Sequence, residues 1–351
     1  MKRIFVIVVL VGLLLSGCAK KVVYPPKVQT TQIQSGTLGG PVNTLGIYNN
    51  DLIVGGEANS SLNGLQNIAK WDGSIWTSIG NVGFNGNINT QAVYNGNLVV
   101  AGQFDRLTNV KANNIAQWNG SMWTTLGRGF NGGVYSMAVF NGNLYVSGVF
   151  DTAGTVAAKN IAQWNGTSWS AVDSGIGGYL GTLMVYNGKL IGAGSFFSLK
   201  HSKLMYVGQY DGTSWSTLGP MVSGTDMAYS LTIYKGNLIA GCQGLSGGMV
   251  EECYGSSWFQ IGNDLGAGIK SLAEYNGELV AGYYYENFNT MTSYVGIWNG
   301  TSWFTSTQFS NNLLVPWTNA FAVYNGSLIM GGYIPAKNGV ESYNGSTWNS
   351  F

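Results

Sequence analysis

The sequence predicts an all-β chain of seven repeated units, each a four-stranded antiparallel meander, and three observations predict it. An aromatic residue, a turn of the Asn-Gly kind and a leucine- or isoleucine-bearing apolar run recur at Tyr48-Asn49, Tyr94-Asn95, Phe140-Asn141, Tyr186-Asn187, Tyr234-Lys235, Tyr275-Asn276 and Tyr324-Asn325. Each copy is answered by a Gly-x-x-Trp segment that closes at Trp76, Trp123, Trp169, Trp215, Trp258, Trp303 or Trp348. Helical periodicity is absent, and the 53 glycines would be costly inside helices. A period in the mid-forties of residues, roughly, marks units too small to bury an apolar face without neighbours.

The chain opens differently. Met1-Lys2-Arg3 is a positive n-region, and Ile4 to Leu15 is an apolar run of signal-peptide length, too short to cross a bilayer. Residues 1–17 are read as a signal peptide. The run ends in Leu15-Ser16-Gly17-Cys18, which resembles the lipobox of bacterial lipoproteins. That resemblance implies that Cys18 carries the lipid and anchors the protein to a membrane of the cell envelope. Ala19 in place of Asp after the cysteine implies sorting to the outer membrane in an organism that has one. Residues 18–36 read as the lipidated cysteine and a tether, with Thr31-Gln32-Ile33-Gln34 as a competing stray outer strand that would help latch the domain.

Within residues 134–173 the elements follow in order. Val134 to Phe140 is a β-type run, Asn141-Gly142 is a strong type I′ hairpin signal, and Leu144 to Phe150 is a second strand broken at glycine. Asn160 to Trp164 makes a third strand and Ser168 to Val172 a fourth, joined at Asn165-Gly166. Period-2 alternation puts Trp164 and Trp169 on one sheet face as a cross-strand pair. The pairs Trp71/Trp76, Trp118/Trp123 and Trp298/Trp303 repeat the arrangement and read as the apolar layer between sheets. The Asn-Gly-Ser/Thr tripeptides at Asn119, Asn165, Asn299, Asn325 and Asn344 match a glycosylation sequon but read as turns.

Seven twisted sheets that each need a neighbour on both faces predict a seven-bladed β-propeller over residues 37–351. The aromatic-Asn-Gly-x-Leu segment, the double glycine of Gly55-Gly56 or Gly331-Gly332, and the following aromatic and tryptophan resemble the kelch repeat. Most blades have Ala-Gly or Ser-Gly at the double glycine, so the chain is kelch-like. The first strand near Val42 and the last at Trp348 leave seven whole blades in phase, a ring that closes by face packing without a shared strand.

Composition and residue counts then bound the chemistry. Loss of Lys2 and Arg3 with the leader leaves 14 of 16 basic residues against 15 acidic ones, a net charge of about −1, which argues against a nucleic-acid partner. With one histidine, His201, no multi-histidine metal site is available, and no cofactor is expected. Glu251-Glu252 are strand neighbours that point to opposite faces and do not share acid and base roles.

Strand alternation sends the Asn-Gly hairpins to one rim and the variable loops to the other, which is the expected binding face. Its candidates are Asp105, Arg106, Arg128, Asp151, Lys200, His201, Lys203 and the Tyr283 to Glu286 stretch. There Tyr283 replaces a repeat glycine, Tyr284 lies on the opposite face from its neighbours, and Tyr285 aligns with Phe104, Phe150 and Phe196 as packing; the cluster as a whole reads as an aromatic platform for sugar stacking or as bulk that fills an irregular blade. The expected function is that of a monomeric, non-catalytic envelope lipoprotein binding a glycan or protein partner. A polysaccharide-acting enzyme and a structural component of the envelope are the alternatives.

Two further cysteines fall in blade five. Cys242 takes a position that is glycine in most blades, and Cys253 takes one that is tryptophan or tyrosine elsewhere. The two sites lie on antiparallel neighbouring strands, and export gives an oxidising setting, so a Cys242–Cys253 disulfide is expected over two separate buried thiols.

Overall fold

The computed structural model describes residues 41–57, 67–80, 82–108, 110–222, 224–245, 247–287, 290–311, 317–333 and 339–350. The leader, Cys18, the tether and the Thr31 to Gln34 segment lie outside the described residues. What is described forms seven four-stranded antiparallel sheets in chain order, spanning residues 42–78, 87–124, 134–171, 176–217, 225–260, 268–311 and 318–350, with no helix among the described residues. These are the blades of a seven-bladed β-propeller. Two short hairpins, Arg106–Leu107 with Val110–Lys111 and Thr152–Ala153 with Val156–Ala157, decorate blades 2 and 3.

Each blade begins with a two-residue hairpin. Asn141 and Gly142 have φ of 49° and 77°, both in the left-handed region, and Asn49, Asn95, Asn187, Lys235, Asn276 and Asn325 open the same turn with φ between 47° and 51°. A type I′ turn needs two such residues and matches the twist of the strands it joins. At the second hairpin the asparagine side chain organises the loop: Asn165 Oδ1 accepts the backbone N–H groups of Thr167 and Ser168, both at 2.9 Å. Asn119, Asn299 and Asn344 do the same, so these tripeptides are turns. Asp72 substitutes for asparagine in blade 1, and the N–H groups of Ile75 and Ser74 hold its carboxyl below the usual carboxylate range.

Trp164 and Trp169 are direct ladder partners with ring centroids 5.1 Å apart, and the pairs in blades 1, 2 and 6 repeat this at 5.3, 5.6 and 5.5 Å. The closing tryptophan also joins blades. Trp169 Nε1 donates to Leu126 O of the preceding blade at 2.8 Å, and Trp123, Trp258 and Trp303 reach Ile79 O, Leu218 O and Ile261 O in the same way. One side chain thus fills the layer between sheets and satisfies a carbonyl just beyond its neighbour's outer strand.

A second set of bonds runs round the ring at the inner strands, Val42–Tyr48, Asn87–Tyr94, Val134–Phe140, Ile176–Tyr186, Thr225–Tyr234, Gly268–Tyr275 and Thr318–Tyr324. Each inner strand carries a β-bulge, the ladder skipping residue 43, 89, 135, 181, 229, 270 or 319, and blade 5 carries a second that skips residue 226. In blades 1, 2 and 7 the skipped residue is asparagine: Asn43 Nδ2 donates to Ile88 O, Asn89 Nδ2 to Val134 O, and Asn319 Nδ2 to Val42 O, at 3.2, 2.9 and 3.0 Å. In blades 3 to 6 the following residue takes over. Ser136 Oγ accepts Leu183 N, while Thr182, Ser230 and Ser271 hydroxyls donate to Tyr229 O, Ile269 O and Thr318 O. Every blade is tied to the next, and Asn319 ties the last to the first. Val42, Leu52 and Trp71 share a buried cluster with Tyr324, Ile329 and Val340, so the ring closes by face packing and this belt, as the sequence led one to expect.

The expected Cys242–Cys253 disulfide is corrected by the register. Cys242 lies opposite Met249 and Cys253 opposite Leu238, and both thiols are free and buried. Cys242 and Leu238 are four positions apart on one strand, so the two sulfurs are separated by roughly 13 Å along the ladder at about 3.3 Å per residue. That is about twice the Cα reach of a disulfide, roughly 6.8 Å at most. Adjacent strands were correctly inferred; the offset between them was not.

Candidate functional site

Three of the charged candidates of the variable-loop rim, Asp105, Arg106 and Asp151, are committed to local structure. Asp105 accepts from Asn85 Nδ2 at 2.6 Å and pairs with the adjacent Arg106 at 3.2 Å, while Asp151 pairs with Lys159 at 2.6 Å. Asn85 and Asn131 in turn accept the backbone N–H groups of Asp105, Arg106, Asp151 and Thr152, fixing the two decorating hairpins. Arg128 and Lys111 edge an open recess of about 390 Å³. Lys200, His201 and Lys203 are exposed on the connection after the second strand of blade 4. Glu251 is buried and accepts from Val222 N and Thr225 Oγ1, whereas Glu252 accepts from Asn237, so the two carboxylates face apart. The Glu286 side chain lies outside the described residues, although its backbone pairs with Met291 in the blade 6 ladder.

The tyrosine stretch divides. Tyr283 is buried in the blade, stacked on Tyr294 at 5.3 Å, with its hydroxyl 3.2 Å from Thr305 Oγ1. Tyr285 does not pack as Phe104, Phe150 and Phe196 do: it is 50% exposed where they are at most 3%. Phe104 and Phe150 lie against Phe84 and Phe130 and Phe196 against the closing Trp215, whereas the Tyr285 ring is met edge-on by Tyr283 and Tyr294. Tyr284 is the member that reaches a site. Its ladder partner is Gly268 on the inner strand, and a β-carbon there would touch the rings of both Tyr284 and Tyr229.

Round Tyr284 the bulges assemble a cluster that runs along consecutive inner strands at the start of blades 3 to 7. Because the hydroxyl residue carries the belt in blades 3 to 6, the skipped residues Tyr135, Tyr229 and Lys270 are released from that task. Lys270 Nζ stands 3.6 Å over the Tyr229 ring, 5.0 Å from Trp317 and 5.8 Å from Tyr284. Tyr284 and Trp317 stack at 5.9 Å and 28°, and Tyr229 donates to Gln243 Oε1 at 2.6 Å. Tyr135 lies 5.3 Å from Tyr179, whose ring folds across Gly181, where a β-carbon would collide with it. Glycine at that bulge makes room for the ring.

The electrostatics follow from partial burial. Burial, then the neighbouring Tyr135 and Tyr229, pushes the Tyr179 phenol above its ordinary value, and burial followed by Tyr284 does so for Tyr229. Burial pulls the Lys270 ammonium down to about 8. Tyr179 and Trp317 each remain 36% exposed, so the cluster presents ring surface to solvent. Together these groups offer flat apolar faces, phenolic hydroxyls, an amide and one cation.

The opposite end of the inner strands is different. Two residues before each hairpin asparagine or lysine stand Ile47, Val93, Val139, Val185, Ile233 and Val323, all 37–48% exposed, with Glu274 in blade 6. Near-identity over six blades marks this end as repeat architecture. The greater chemical variety lies at the loop rim.

No protein-family model matches the chain, and no curated protein matches it in sequence. Among solved structures it is similar to the computationally designed Ika8 protein, with a TM-score of 0.52 and 10% identity over 87% of this chain and 96% of that one. It is also similar to the β-propeller domain of Cps50 (Swd1) from Myceliophteria thermophila, at 0.47 and 9% over 75% and 85%. A putative oxidoreductase (glucose dehydrogenase) from Thermus thermophilus matches at 0.42 and 13% over 70% and 90%. At these identities the likeness speaks to fold alone.

Proposed function

We propose that this chain is a non-catalytic, kelch-like binding protein of the cell envelope, held by a lipid on Cys18, that takes a glycan at the aromatic mouth formed by Tyr135, Tyr179, Tyr229, Tyr284 and Trp317. The observation that carries the reading is the collection of rings on one rim of the inner strands, where Tyr179 and Trp317 are each 36% exposed and Tyr284 is buried against Trp317. Sugar rings present C–H faces that settle on aromatic faces, and their hydroxyls exchange hydrogen bonds with groups such as the tyrosine phenols and Gln243. A concave apolar lining with a few oriented polar groups is the usual composition of a ligand site. Membrane attachment is supported by Leu15-Ser16-Gly17-Cys18 after the apolar run of the leader. An anchored module of this kind would hold polysaccharide at the envelope surface.

The test is a glycan array probed with the detergent-solubilised full chain and with its Trp317→Ala and Tyr229→Ala variants. Saccharide binding that both variants weaken supports the reading. Binding unaffected by either substitution would place the ligand elsewhere, and steady release of reducing ends from a bound saccharide would make the chain an enzyme. For the anchor, Cys18→Ser should move the protein from the membrane to the soluble fraction; unchanged fractionation would remove the lipid from the account.

A further inference from the structure

Of the residues skipped at the inner-strand bulges Lys270 is the one cation; blade 5 skips Asp226 as well as Tyr229, and the rest are neutral. Its ammonium is half-buried among Tyr229, Tyr284 and Trp317. Among the described residues it makes no ion pair, whereas Lys70, Arg106 and Lys159 each hold a carboxylate at 2.7, 3.2 and 2.6 Å. Ring faces attract the cation, yet an ammonium carries three N–H donors that need acceptors, and a face does not replace the water they lose. We infer that the mouth selects a saccharide bearing a carboxylate, and that Lys270 is the residue that pairs with it.

Three ligand chemistries compete for such a place, and the geometry separates them. A cationic ligand, which an aromatic cage would otherwise favour, meets ring faces already turned to Lys270 and is repelled by it. A neutral saccharide stacks on the rings but leaves the ammonium as poorly solvated as before. A carboxylate supplies the missing charged acceptor, and a charge-assisted hydrogen bond in a partly dry setting is among the stronger polar contacts. Burial already draws the Lys270 proton affinity down, to about 8, which is the signature of a cation short of acceptors. Burial holds the Tyr179 and Tyr229 phenols above their ordinary value, so neither competes with an incoming anion.

This inference rests on the glycan reading of the mouth, and the test keeps the two apart. The probes are trigalacturonate and its methyl ester, of equal shape and different charge, with sialyllactose and lactose as a second pair, titrated calorimetrically into the full chain. The acid member of at least one pair should bind about ten- to a hundredfold more tightly than its neutral partner, the range expected of a hydrogen bond to a charged group. Lys270→Met, which keeps the apolar stem, should erase that preference while leaving the neutral probe's affinity within a factor of two or so. Lys270→Arg should restore it, and thermal melts of both variants check folding. Acid and neutral probes bound equally would overturn the role of Lys270 and leave the glycan reading intact. Tight binding of acid probes that survives in Lys270→Met would do the same. Failure of every saccharide to bind here and on the array would overturn both.

Discussion

At the scale of single residues, Lys270 sets burial against charge. Its folded value of about 8 lies below the ordinary 10.5, so between those values the unfolded chain holds more protons than the folded one. Stability linked to this residue is therefore lowest, and flat, below pH 8 and rises as pH is raised toward 10.5. A shift of this size costs about 3 kcal/mol in full, and the cation–π contacts return about 0.5–2 kcal/mol of it. Lys270→Met should thus stabilise the protein at pH 7 by about 1–2.5 kcal/mol, with the advantage shrinking toward pH 10. Urea denaturation at both pH values checks this, and an advantage that grew with pH would contradict it.

The same scale settles the cysteines. Burial, then the neighbouring Glu251, pushes the Cys242 thiol well above its usual value, and burial raises Cys253. Neither should react with iodoacetamide in the native protein. After unfolding without reductant, peptide mapping should find both alkylated; a linked peptide pair would restore the disulfide that the register excludes.

At the scale of the element, the inner-strand bulge divides labour between two adjacent positions. A side chain at one must tie its blade to the next, and the other is then free for the mouth. Blade 7 shows the tie most plainly, because Asn319 bonds Val42 O across the junction of the chain's first and last blades. Asn319→Ala should cost about 1–2 kcal/mol by leaving that carbonyl short of a partner. Amide exchange should accelerate first in the inner strands of blades 1 and 7, and uniform acceleration round the ring would argue against a local tie.

This division also explains what the sequence could and could not show. Turns, strand order and tryptophan pairs were legible because each rests on local chemistry: positive φ at Asn141, alternation at Trp164 and Trp169. The mouth was not, except for Tyr284, because a bulge shifts the alternation that assigns side chains to faces. A signal was nevertheless present. Counted back from the hairpin, the residues six positions before it include Tyr135, Tyr229 and Lys270, and those eight before include Tyr179 and Trp317. Aligning blades on the hairpin and asking which column varies most would have found them. The cysteine pairing failed for a related reason, since adjacency of strands does not fix their offset.

At the scale of the whole molecule, seven sheets share one ring in which no strand is exchanged between the first and last blades among those described. Its two ends have separated roles: a repetitive apolar end at the hairpins and a varied, aromatic end at the loops. A ring repeats its contacts, and in the inner strands of blades 3 to 7 the repeat is broken by the aromatic cluster and Lys270. The most direct measurement of this account is a crystal structure of the protein soaked with trigalacturonate. It should show the saccharide on the rings of Tyr229 and Trp317, with a carboxylate within hydrogen-bonding distance of Lys270 Nζ. Saccharide bound at the hairpin end, or in the recess beside Arg128 and Lys111 with the mouth left empty, would contradict it.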